Sequence, residues 1–109
     1  MIDDRKRAEI AGKILADREK RYALFPSEIF DEYAWNMMLH LFVAMNAGHQ
    51  SSEGELIRLV HTSTNIGQRW LYQLAKDGQV EPRRSGDDVT LTTEARDKLR
   101  QYLDTVQVQ

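Results

Sequence analysis

Between Ser63 and Gly78 the sequence carries Thr64, Asn65, Gln68, Arg69, Tyr72 and Lys76, and beyond Gly78 it carries the adjacent pair Arg83 and Arg84. Amides, a hydroxyl, a phenol and cations are the groups that hydrogen-bond base edges and contact phosphates. The segment itself reads as a helix. Ser63 can cap it by accepting from a backbone N–H one turn on, and Gly78 can stop it. Gly67, Trp70, Leu71 and Leu74 recur at helical spacing as one buried face. Asn65, Arg69, Tyr72 and Lys76 then share the opposite face, with Gln68 at its shoulder and Thr64 at its start. That exposed stripe has the chemistry of a helix that reads bases.

The segment after Gly78 reads as strand, turn, strand. Val80 to Arg84 and Asp88 to Thr92 flank Ser85-Gly86-Asp87, where glycine can take the positive φ of a three-residue connection. Val89 and Leu91 alternate with Thr90 and Thr92, so that one side can pack while the other stays wet. Arg83 and Arg84 fall at the tip, where no core requires them. Adjacent arginines on a turn are ordinarily just solvated; their position directly after a polar-faced helix makes them candidates for DNA contact.

Other chemistry finds little support. His40, His49 and His61 have no i,i+4 pairing with each other, so neither a metal site nor a catalytic dyad is indicated. There is no cysteine to serve as nucleophile, metal ligand or disulfide partner. The pairs Asp3-Asp4 and Asp87-Asp88 fall near a terminus and in a turn, where solvation is the ordinary role. No glycine-rich phosphate loop follows a strand. The expectation is a protein that is not an enzyme and uses neither cofactor nor metal.

At 109 residues and 12.7 kDa the chain suits one domain with a single core, and 41% hydrophobic with 29% charged residues is ordinary globular composition. No apolar run approaches the roughly 20 residues of a membrane span, and MIDDRKRAEIAGK lacks the apolar core of a signal peptide, so the cytoplasm is expected. The net charge of −2 opposes nucleic-acid binding as a sum, but its distribution is polarised. From Arg58 to Arg84 five basic residues stand against two acidic ones. From Tyr22 to Ile57 there is no Lys or Arg, while Glu28, Asp31, Glu32, Glu53 and Glu55 are acidic.

The elements that must position the polar stripe follow from periodicity and punctuation. Arg5 to about Tyr22 reads as an amphipathic helix with Ile10, Ala11, Ile14 and Leu15 inward, broken by Pro26. Asp31 can cap a second helix to about Ala47, with Trp35, Met38, Leu39, Phe42 and Met45 on one face and Gly48 as its end. His49 to Ser51 suits a short strand. Ser52 and Glu55 have capping-box spacing for a helix through Val60 that turns Leu56, Ile57 and Val60 inward. The short link His61-Thr62 forces this helix and the next to meet steeply, as in a helix-turn-helix. Thr92 can cap a last helix, Thr93 to Thr105, with Ala95, Leu99, Tyr102, Leu103 and Val106 on its apolar face.

The predicted fold is therefore mainly α with a small β-hairpin: a winged helix-turn-helix with an added helix at each end. The division is residues 1–24 as an N-terminal helix for dimerisation, 25–92 as the winged helix-turn-helix, and 93–109 as a C-terminal helix for dimerisation. The apolar faces of Ile10 to Leu15 and Leu99 to Val106 suggest pairing between chains, against the alternative that they pack on each other within one.

RWLYQLAKDGQVEP at Arg69 to Pro82, VTLTTEARDKL at Val89 to Leu99 and FDEYAWNMMLHLFVA at Phe30 to Ala44 resemble segments of the MarR family of bacterial winged-helix transcription regulators. The likeness extends over about Phe25 to Leu103, and Arg83 and Arg84 stand where that family's wing carries its arginine. The resemblance implies a homodimer that binds near-palindromic double-stranded DNA through a recognition helix at 64–77 and a wing at 80–92. It also implies a small lipophilic effector near Tyr22, Phe25, Phe30, Tyr33 and Trp35. The alternative from another class is a winged-helix protein-interaction module without DNA binding.

Overall fold

The computed structural model describes residues 3–27 and 30–106, and among them it has five helices: α1 (Asp4–Tyr22), α2 (Tyr33–Asn46), α3 (Glu53–Leu59), α4 (Thr64–Lys76) and α5 (Thr93–Thr105). Glu28, and residues 1–2 and 107–109 of the two expected terminal segments, lie outside the described residues. The molecule is mainly helical. Helix starts follow local chemistry closely. Ser52 Oγ accepts from Glu55 N at 3.2 Å, Ser63 Oγ from Ile66 N at 3.2 Å, and Thr92 Oγ1 from Ala95 N at 3.1 Å. Each side chain satisfies an N–H that has no partner within its helix.

Two helix ends are equally local. Gly48 and Gly78 adopt φ of 71° and 76°, and the residue after each returns a hydrogen bond to the last turn: His49 N to Ala44 O at 2.8 Å, Gln79 N to Leu74 O at 2.9 Å. These are left-handed terminations that only glycine adopts without strain.

The start of α2 departs from expectation. Asp31 does not cap it but sits at φ 47°, and Glu32 occupies the cap position without a side-chain cap bond. The Glu32 carboxylate is engaged elsewhere. It accepts from Tyr22 Oη at 2.8 Å and pairs with Arg18 at 3.3 Å and with Arg21. Asn36, 2% exposed, donates to the same Tyr22 oxygen at 2.8 Å. This polar seam joins α1 to α2 and draws the Glu32 side chain away from the helix axis.

α2 is central and packs against each of the other four helices. Met37, Leu39 and Phe42 are fully buried, with Leu56, Val60, Leu71, Leu99 and Leu103 around them. Trp35, Met38 and Met45 lie at the margin, half-buried. The terminal helices correct the basis for the dimer expectation. Ile10, Ala11, Leu15, Leu99 and Leu103 are all buried within the single chain, where α1 packs on both α2 and α5. Two ion pairs close the same seam, Arg7 Nε to Asp104 Oδ1 at 2.7 Å and Arg100 Nη2 to Asp4 Oδ2 at 2.7 Å.

The expected hairpin is much reduced. Among the described residues there is no extended strand, only two isolated antiparallel bridges, Ser51 with Val89 and Val80 with Leu91. Glu81 N still donates to Thr90 O at 2.8 Å, and Val89 N to Ser51 O at 2.9 Å. No backbone bond continues the ladder beyond Glu81, since Arg83 N does not reach Asp88 O. Beyond it the Arg83 side chain, not its backbone, reaches the carbonyls of Asp87 and Asp88. Gly86 supplies the positive φ, at 92°.

Candidate nucleic-acid interface

α4 is seated against α3 by an unusually close approach at Gly67. A Cβ placed there would lie 2.5 Å from Ile57 Cγ1 and 2.8 Å from Ile57 Cγ2. Only a residue without a side chain permits this crossing, and the helix accepts a glycine in its interior, at about 1 kcal/mol relative to alanine, to obtain it. The turn between the helices is pinned to α1. His61 takes a left-handed φ of 59°, its carbonyl accepts from Ser27 Oγ at 3.1 Å, and its Nε2 meets Glu19 Oε1 at 2.8 Å.

With Gly67, Leu71 and Leu74 buried, the opposite side of α4 is open. Thr64, Asn65, Arg69, Tyr72 and Lys76 are all exposed, Tyr72 to 70%. Trp70 is only half-buried. Ile66, 37% exposed, lies at the rim near the helix start. Arg84, at the turn after Pro82, is exposed as well, while its backbone N–H donates to Asp87 Oδ2 at 2.9 Å.

Gln68 and Arg83 are not on that open surface. Both are gathered by Glu53, the first residue of α3, which is 8% exposed. Glu53 Oε1 accepts from Arg83 Nη2 at 2.9 Å and from Gly86 N at 3.1 Å, and its Oε2 accepts from Gln68 Nε2 at 3.0 Å. The same Gln68 nitrogen donates to Ser85 Oγ at 3.2 Å. Both groups, half-buried, hold the turn of residues 84–87 beside α4. Glu53 is the residue that sequence pattern missed, since partners 15 and 30 positions away leave no local signal.

Burial alone would push the Glu53 carboxyl up. The hydrogen bonds from Gln68, Gly86 and Arg83, with the Arg83 charge, outweigh it and hold the group below its ordinary value. Glu53 is thus an anion at neutral pH that cancels the Arg83 cation. What remains free on this side of the molecule is Arg69, Lys76 and Arg84, which form no ion pair among the described residues.

The aromatics expected around an effector do not form one group. Trp35 packs edge-on against Tyr102 at 5.0 Å, whereas Tyr22 lies against Phe30 at 5.5 Å and His61 at 5.7 Å. Phe25 is 54% exposed. Among the described residues no three His, Asp or Glu side chains converge as a metal site, and no helix is long and apolar enough to cross a membrane. Compared with protein-family models, with curated proteins and with solved structures, the chain matches none.

Proposed function

We propose that the chain is a winged helix-turn-helix transcription regulator of the cytoplasm. In this reading α4 enters the major groove of double-stranded DNA, and the turn carrying Arg84 contacts the neighbouring backbone or minor groove. One observation carries it. Glu53 and Gln68 fasten that turn to the flank of α4, while Thr64, Asn65, Arg69, Tyr72, Lys76 and Arg84 stay in solvent. A rigid reading helix with an attached second contact is what groove recognition requires. The exposed polar side chains of α4, Thr64, Asn65, Arg69, Tyr72 and Lys76, contribute little to the fold.

Two copies on a near-palindromic site, with half-sites about one helical turn apart, belong to the proposal. Because the inward faces of α1 and α5 are occupied within the chain, pairing has to use outward side chains. Leu24 and Phe25, 78% and 54% exposed at the end of α1, and Tyr102 of α5, 40% exposed, are the apolar groups available for it.

Selection of bound duplexes from a random DNA pool at low salt tests the reading. Recovery of a two-fold-symmetric site supports both DNA recognition and pairing. A second reading, a protein-interaction module, is favoured by one feature. Ile66, Arg69, Trp70, Tyr72 and Gln73 line an open groove of about 350 Å³ on α4 itself. An apolar and aromatic groove there suits a peptide side chain as well as a thymine methyl. Failure to enrich any duplex makes that module the better account.

A further inference from the structure

A cavity of about 270 Å³ opens between the C-terminal end of α2, the bridged residues Ser51 and Val89, and the first turn of α5. Leu41, Met45 and Leu91 form its apolar side, and Gln50, Thr90 and Arg96 its polar side. Most of the polar groups are already satisfied. Gln50 Nε2 donates to Thr90 Oγ1 at 3.2 Å, and His49 Nε2 meets Glu55 Oε1 at 2.9 Å.

Arg96 is the exception. Its Nε is withdrawn from solvent and has no hydrogen-bond partner, and its guanidinium forms no ion pair among the described residues. An N–H without an acceptor is costly, and because the residue as a whole is half-buried and lines the cavity, the terminal nitrogens of the guanidinium are the ones a ligand would meet. Its position adds to the anomaly. Arg96 lies in the first turn of α5, the positive end of the helix dipole, where a cation is disfavoured and an anion is welcome. The neighbouring Arg100 differs, being held by Asp4 and Asp97.

We propose that this cavity is a binding site for a compact aliphatic carboxylate held by Arg96. Arg96 is the one Lys or Arg among the lining residues and has no acidic partner among the described residues, so it calls for one negative charge. The planar fork of a guanidinium matches the two oxygens of a carboxylate. The volume falls at the lower edge of the roughly 300–1,000 Å³ usual for ligand sites, which limits the ligand to a small one. No phenyl, phenol or indole ring lines the walls, so its body is recognised by contact with leucine and methionine and not by stacking. The ligand would lie against Val89 and Thr90 and tie the 88–92 segment to the end of α2.

The proposal does not depend on DNA binding, and its test contains no DNA. Hexanoate is titrated into the full chain and followed by calorimetry and by amide and arginine-side-chain NMR, with hexanamide, benzoate and inorganic phosphate as comparisons. Saturable binding in the millimolar range or tighter is expected, with shifts concentrated at Gln50, Thr90, Leu91 and the Arg96 Nε–H. Hexanamide should not bind. Arg96→Gln should weaken hexanoate roughly tenfold or more, as loss of a charge-assisted contact does. If that variant does not fold, the shift map on the parent protein decides alone. No saturable binding, shifts confined to other residues, or unchanged affinity in folded Arg96→Gln would overturn the site. Equal binding of phosphate would overturn the carboxylate assignment, and tighter binding of benzoate the aliphatic one.

Discussion

The Glu53 carboxylate and the Arg83 guanidinium meet at 2.9 Å with side chains only 10% and 8% exposed, and this pair fixes where the 84–87 turn stands relative to α4. Breaking a buried pair by removing one partner strands the other charge. Glu53→Ala is therefore expected to cost about 3 kcal/mol, read by urea denaturation. Because the Glu53 carboxyl titrates below its ordinary 4.5, its contribution is fully present above that pH and is lost as pH falls through the folded-state value. Glu53→Gln should flatten this part of the acid limb. An acid profile identical to the parent's would show that Glu53 does not hold the turn.

Gly67→Ala sets two effects against each other. Alanine gains about 1 kcal/mol of helix propensity. It also drives a Cβ to 2.5 Å from Ile57, a β-branched side chain whose rotamer is nearly fixed in a helix and which is 5% exposed. Overpacking of about 1–3 kcal/mol should win, giving a lower melting temperature. Ile57→Ala made together with Gly67→Ala should cost less than the two single changes added. Strict additivity in that cycle would remove the contact as the reason for the glycine.

The arginines should separate by role. Arg69→Ala should lose about 1–3 kcal/mol on the selected site and relax preference at one base pair per half-site. Arg84→Ala should weaken all duplexes alike and make the slope of log affinity against log salt shallower by about one unit per lost phosphate contact. Arg83→Ala should behave differently from both, lowering thermal stability, because its guanidinium faces Glu53. Titrations of the three variants against specific and scrambled duplexes distinguish these outcomes; normal binding of every duplex by both Arg69→Ala and Arg84→Ala would move the interface off this surface.

Leu103 has no exposed surface and belongs to the core of the single chain. Leu103→Ala should cost about 2–5 kcal/mol of unfolding free energy that does not vary with protein concentration. Stability that rises with concentration in the parent, and loses that dependence in the variant, would return α5 to a dimer interface.

What could be read from the sequence was what neighbours within a few residues decide. Ser52, Ser63 and Thr92 cap as their spacing predicts because a cap is bonded three residues away, and Gly48 and Gly78 end helices for equally local reasons. Asp31 had the right chemistry for a cap, but the partners of Glu32 on α1 decide how α2 begins. A helical wheel puts Gln68 beside solvent, and only the fold brings Glu53 to it. The alternation of Val89 and Leu91 marks both as buried, yet it says nothing of the Arg83 side chain taking the Asp88 carbonyl where a ladder bond would continue. The apolar faces of the terminal helices leave both packing within one chain and pairing between chains open in the sequence, and only the fold brings Ile10 and Leu103, more than ninety residues apart, into one core.

That closure of α1 with α5 has a consequence for synthesis on the ribosome. α1 emerges first and can settle on α2, and the α3 and α4 pair can form from nearby chain. The groove that Leu99 and Leu103 fill stays open until α5 has been made, and Arg7 waits 97 residues for Asp104. Contacts so distant in sequence form late and carry the largest loop-closure cost. A nascent chain stalled before Thr93 would hold the groove for α5 uncovered, making it a natural chaperone client and a poor candidate for truncated expression.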